Sequence, residues 1–184
     1  MTLLGPAHCG PVAGFHTVVI VVLSLAVVEI GAAQAVPVLS RVRSDSSRIA
    51  RAIADGTGRS QTFRRLIETI DATDGLVYVD EGVCGHAVRA CLVLSVTLAG
   101  PYRVLRILVE TRKTPGCELV QALGHELQHA VELLGNRRVR STDQVYHFFD
   151  GLAPTDASRG TRTFETAAAI EAGLAVRREA CAVS

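Results

Sequence analysis

The chain has 184 residues, 48% of them hydrophobic and 20% charged, with a formal net charge of +1 at pH 7. That is material for one domain with a core of its own, and so balanced a charge gives no electrostatic ground for a nucleic-acid partner. Aromatic residues make up 4% and tryptophan is absent, so packing must rest on Ala, Val, Leu and Ile.

The amino-terminal segment differs from the rest. Val18 to Val28, "VVIVVLSLAVV", is an apolar run interrupted by a single serine, followed by "GAAQAVP". As a helix it would reach about half of the ~30 Å hydrocarbon core, so no stable membrane span is expected. Ala33 and Ala35 form an A-x-A site before Val36, and residues 1–35 read as a signal peptide of an exported protein. No Lys or Arg precedes the apolar run, a departure from the usual pattern; the alternative reading is a helix or strand of the domain itself. Removal of that segment takes Cys9 with it and leaves Cys84, Cys91, Cys117 and Cys181. The short spacing of Cys84 and Cys91 suits a bridge across a turn, which would leave Cys117 and Cys181 for each other. Four cysteines allow three pairings, and four reduced, buried thiols are the other reading.

Residues 36–58, serine-rich and polar, read as a tether. From about residue 59 to the end at 184 a single domain is expected. A first helix spans about Arg59 to Ile70, capped by Ser60, with Phe63, Leu66, Ile67 and Ile70 at helical spacing. Strand-like segments follow at Leu76 to Asp80, about Val88 to Leu98 and about Arg103 to Thr111; the "AGPY" turn makes the last two a hairpin. "TPG" opens a long helix from about Cys117 to Leu134, closed by Gly135 and Asn136. A short amphipathic piece covers Asp143 to Phe149. After a loop, the final helix starts near Thr163 with Phe164, Ala167, Ile170 and Leu174 on one side. The expected fold class is α+β, with a three-stranded, mostly antiparallel sheet.

The long helix carries "LGHELQHA". Residues four apart on a helix lie one above the other, so His125 and His129 project together and can share a metal ion. Glu126 sits about 100° around the helix from His125, beside that ion, where a carboxylate can take a proton from an activated water. Two histidines with one further ligand leave the open position that marks a hydrolytic zinc site. The plain alternative is a solvated helix face that bears two His and a Glu.

"HELQH" on a helix preceded by a sheet and a backing helix resembles the zincin metallopeptidases. The resemblance implies zinc as cofactor, His125 and His129 as ligands and Glu126 as general base. It also implies a peptide or protein substrate lying along an edge strand, here matched to Arg103–Lys113. The subgroup with H-E-x-x-H-x-x-G-x-x-H is excluded, because the chain has Glu132 and Gly135 at the Gly and last His places. The aspartate subgroup would use Asp143, in "STDQVYH", without its Gly-Thr lead. The glutamate subgroup takes its ligand from a later helix, which points to Glu165, with Glu171 and His147 as lesser candidates. Its usual E-x-x-x-D pattern fails here, since Ala169 stands in the Asp place.

Glu165 is the favoured third ligand, a lone carboxylate in the otherwise uncharged "TFETAAAI", whose alanines would let its helix approach the metal helix closely and where burial is costly without a partner. The plain alternative is an exposed first-turn glutamate favoured by the helix dipole. Tyr146 and His147 read first as packed or surface side chains, though either could reach as an oxyanion donor, and His86 reads as an exposed turn residue. The expectation is an exported zinc peptidase; the rivals are an exported zinc-binding protein or degenerate hydrolase without peptidase activity, and an envelope interaction domain whose motif is coincidental.

Overall fold

The computed structural model describes residues 40–85, 88–112, 114–152 and 164–181. The expected signal peptide, and His86, lie outside those residues. The described elements belong to one compact unit, Val38–Ser184.

Strand β1 is Val42–Arg43, and helix α1 is Ser47–Arg59. The expected tether is therefore part of the domain from Val42 onward. Ser46 caps α1 by accepting from the Ile49 amide, and Ile49, Ala52 and Gly56 are buried along one stripe. Helix α2, Gln61–Asp71, agrees with the expected first helix in both its Ser60 cap and its buried Phe63, Leu66, Ile67 and Ile70. Ser60 is wholly buried at the α1–α2 junction, where its hydroxyl donates to Glu179 and accepts from the Phe63 amide.

The sheet is five-stranded and mixed. Its strands are β1, β2 (Gly75–Glu81), β3 (Ala90–Leu92), β4 (Thr97–Ala99) and β5 (Tyr102–Val109). β1 pairs with β2 and β2 with β5, both parallel; β3 and β4 both pair antiparallel with the other side of β5. Two expectations fail here. The sheet is not three-stranded and mostly antiparallel, because β2 joins β5 on the side away from the hairpin, Val77 opposite Leu105 and Val79 opposite Ile107. And the expected edge strand, β5, is paired on both sides. The hairpin itself stands: β4 turns into β5 through Gly100, at φ +60°, a left-handed conformation that glycine adopts without steric cost. The expected strand from Val88 to Leu98 is interrupted, with Val93–Val96 separating β3 from β4.

Val77, Val79, Leu105, Ile107 and Val109 are fully buried on one face of the sheet, in one cluster with Leu119, Leu123, Leu127, Ala130 and Leu133 of helix α3, Gly116–Gly135. Burying a Leu or Ile side chain is worth roughly 1.5–3 kcal/mol, and this seam sets the position of α3 against the strands. Arg103 at the start of β5 fixes the far end. Its guanidinium, fully buried, donates to the carbonyls of Leu133, Leu134, Asn136 and Val139 and pairs with Asp74 at 2.6 Å. One side chain thus satisfies the orphan carbonyls at the α3 C-terminus that a helix cannot satisfy for itself.

Helix α4, Thr142–Leu152, is longer than the expected piece and turns Val145 and Phe149 inward. Helix α5, Ala167–Ala180, begins after Thr166, its N-cap. Its buried side is Ala169, Ala172, Gly173, Val176 and Ala180, whereas Ile170 and Leu174, expected inside, are 47% and 45% exposed. The cause is the distance to α3. A Cβ on Gly124 would lie 2.7 Å from Val176, and one on Gly173 would lie 3.2 Å from the His125 Cβ. Only small residues fit between the two helices.

Two disulfides join Cys84 to Cys91 and Cys117 to Cys181. The first ties the end of β2 to β3. The second clamps the start of α3 to the end of α5, and its long loop is worth about 4 kcal/mol by chain entropy. Among the described residues no helix is long and apolar enough to cross a membrane.

Candidate metal centre

His125 and His129 lie one turn apart on α3, with ring centroids 4.9 Å apart in an edge-on arrangement. His129 is buried and packs edge-on against Phe149, which α4 supplies at 5.6 Å. Glu165 reaches the same point from the residues just ahead of α5. Its carboxylate lies 3.2 Å from His125 Nε2, and one ligand atom from each of His125, His129 and Glu165 falls within 4.8 Å of the other two. These three residues are placed to hold a metal ion.

Local chemistry explains how Glu165 arrives there. The Thr166 hydroxyl accepts from the Ala169 amide, which starts α5, and donates to Glu132 Oε1 at 2.7 Å. The other oxygen of Glu132 lies 3.1 Å from His129 Nδ1. Glu132 therefore joins the metal helix to the cap of α5 and, by accepting from Nδ1, leaves His129 Nε2 free as a ligand. Glu165 precedes the cap instead of lying in the helix as expected, and its side chain is 51% exposed. It is not the buried lone carboxylate that the alanine-rich sequence suggests.

Glu126 lies beside this cluster, not in it. Its Oε2 accepts the Leu92 amide of β3 at 2.7 Å, and its Oε1 is 4.0 Å from His125 Nε2. Val93 N donates to Arg106 O and Glu110 N to Arg89 O, so alternate peptide groups of β3 face away from β5. The open edge of β3 thus anchors the carboxylate.

Electrostatics separates the four groups. Burial raises the Glu126 carboxyl above its ordinary value, outweighing the attraction of His125 and His129. The hydrogen bond with His125 holds Glu165 below the usual carboxylate range. Burial acts to raise Glu132, but its bonds with His129 and Thr166 bring it below that range. His125 is disfavoured as a cation by burial, yet Glu165 and Glu126 together raise it above the ordinary imidazole value. A metal ion must displace that proton, because only the neutral ring can ligate.

The other candidates are elsewhere. Asp143 is exposed in the first turn of α4, and Glu171 is exposed on α5. His147 is also exposed and lines a separate recess with Asn136 and Gln144. Tyr146 packs on Phe164 and lines a recess with His147, Asp150 and Phe164, so neither candidate oxyanion donor borders the His125 cavity. Glu132, the Leu92 amide and Phe149 are the participants that sequence reasoning missed. Glu132 had a signal: it lies three residues beyond His129, on the same helix face.

Two recesses flank the cluster and share Val88, Ala90, Glu126 and Glu165. One, of about 240 Å³, is walled by Leu92, Leu94, Phe149, Phe164 and the Cys84–Cys91 bridge. The other, of about 430 Å³, is polar and runs past Gln121 to Glu118, Arg89 and Arg177. In comparisons with known proteins, the chain matches no family model, no curated protein and no solved structure.

Proposed function

We propose that this chain is an exported zinc peptidase of the glutamate-ligand zincin type, with His125, His129 and Glu165 as ligands and Glu126 as general base. The observation that carries the reading is the meeting of two imidazoles and a carboxylate around one point, with a buried carboxylate beside them. Two imidazoles and one carboxylate form the donor set of a hydrolytic zinc site, with a fourth position left for water. A zinc ion held there supplies Lewis acidity, which lowers the pKa of water to about 7 and polarises the scissile carbonyl.

The protein's part is proton transfer and positioning. Leu92 holds Glu126 Oε2, so Oε1 is the oxygen left to take the water proton and pass it to the leaving amine. Burial makes that carboxylate more basic than an exposed glutamate, which suits the task. The substrate backbone adds to the outer edge of β3, a terminal strand of the sheet, at the peptide groups other than the Leu92 amide that holds Glu126, in place of the β5 edge expected from sequence. Export is supported by the two disulfides, which persist in oxidising compartments.

Purified protein should hold about one zinc per chain and cleave a peptide library, with activity lost to a chelator and restored by zinc. Full hydrolysis by metal-free protein would refute the reading, and zinc binding without any cleavage would leave the non-peptidase alternative. Glu132→Ala should weaken zinc binding about 10–100-fold, because His129 loses its orienting acceptor. Competition against a chromophoric chelator measures this, and an unchanged affinity would remove Glu132 from the site.

A further inference from the structure

The polar recess runs from His125, Glu126 and Glu165 at one end to Glu118 and Arg89 at the other. Along α3 its wall passes from His125 through Gln121 to Glu118, and α5 contributes Arg177 from its last turn. Seven residues of helix from 125 to 118 span about 10 Å at 1.5 Å per residue. An extended peptide covers that length in about three residues. At the far end Arg89, just ahead of β3, is already paired with Glu118 of α3 across the groove. Gly173 lies against His125 and Cys181 is bonded to Cys117, so Arg177 stands about level with Gln121. It has no ion pair among the described residues and gives the groove wall one uncompensated positive charge.

We propose that Arg177 binds a carboxylate of the substrate about two to three residues from the scissile bond, reached from its place beside Gln121 by its long side chain. This rests on the peptidase reading above and adds the substrate's chemistry to it. The carboxylate is either the free C-terminus of a peptide or an acidic side chain within a longer one. Both present two oxygens to a guanidinium fork. The apolar recess on the opposite side of the cluster takes an uncharged residue, so the preferred substrate is asymmetric about the cleaved bond.

The test uses the zinc-loaded protein and fluorogenic peptides that carry a carboxylate two, three or four residues from the cleaved bond. One arm compares a free C-terminus with its amide; the other compares Glu with Gln inside an amidated peptide. A carboxylate at about two to three residues should raise kcat/KM about 10–100-fold, mainly through KM, the size of a charged hydrogen bond remote from the reacting atoms. Arg177→Gln should bring that ratio close to one, whereas Arg178→Gln, on the next position of α5, should keep it. A preference in the first arm alone assigns the C-terminus, and in the second alone the side chain. Cleavage by wild-type protein without any carboxylate preference, or a preference that survives Arg177→Gln, overturns the proposal and leaves the peptidase reading intact. Zinc-loaded protein that cleaves none of the peptides overturns both.

Discussion

Glu126→Gln is expected to retain zinc and lose hydrolysis by about 10³-fold, in the range that a positioned general base supplies. The substitution keeps shape and keeps an acceptor for the Leu92 amide, but it removes the oxygen that can take a proton. The loss should fall on kcat, since Glu126 lies beside the ligand cluster and outside it. Folding stability should hold or rise, because the native carboxylate is buried and its charged form is disfavoured there. Metal content, kcat and a thermal melt on the same preparation check all three. A variant within tenfold of wild-type activity would remove Glu126 from catalysis; one that loses its zinc would make it a ligand instead.

The largest effect on stability is expected at Arg103. Arg103→Ala should cost about 3–5 kcal/mol, chiefly through buried carbonyls that lose a donor, each worth about 1–3 kcal/mol. The change removes a donor from four carbonyls at and beyond the end of α3, of which those of Leu133 and Asn136 keep a backbone amide. It also takes from Asp74 its 2.6 Å partner, leaving Arg140 at 4.0 Å. Denaturant unfolding measures the loss, and a change under about 1 kcal/mol would refute it. Acid sensitivity carries the same signature. The hydrogen bond from Arg103, ahead of its charge, holds the Asp74 carboxyl below its ordinary value, against some desolvation. The pair's contribution is therefore complete above the ordinary aspartate range and is lost as pH falls through the lowered value. Arg103→Ala should lose that part of the acid dependence, so the gap between wild type and variant narrows as the pH drops.

How much was legible depended on the distance over which each feature is decided. His125, Glu126 and His129 were readable because their relation is one turn of one helix. The α2 cap and stripe were readable for the same reason, with Ser60 followed by large apolar residues. Helix α1 was missed although its stripe is regular. Ile49, Ala52 and Gly56 carry little apolar bulk among Arg, Ser and Asp, and a segment so polar reads as linker. The apolar side named for α5 held Phe164, Ala167, Ile170 and Leu174, although the alanines of the same segment already pointed to close approach to α3. The buried side is instead the small-residue side, because contact with α3 leaves no room for larger ones.

Sequence by itself determined the α+β class, helix α3 with His125, Glu126 and His129 at their spacing, and a short ranking of partners for the two histidines headed by Glu165. These follow from periodicity and short-range spacing, which the backbone geometry converts directly into shared faces. Tertiary structure decided the strand order, with β5 paired on both edges, and the meeting of Glu165 with His125. It also gave Glu132 its two partners, 3 and 34 residues away. β2 and β5 present equivalent alternating faces to any neighbour, so their pairing is chosen only when α3 covers them together. A glutamate ahead of a helix cap is likewise an ordinary exposed residue until Gly124 and Gly173 let α5 close on α3 and bring it to the histidines.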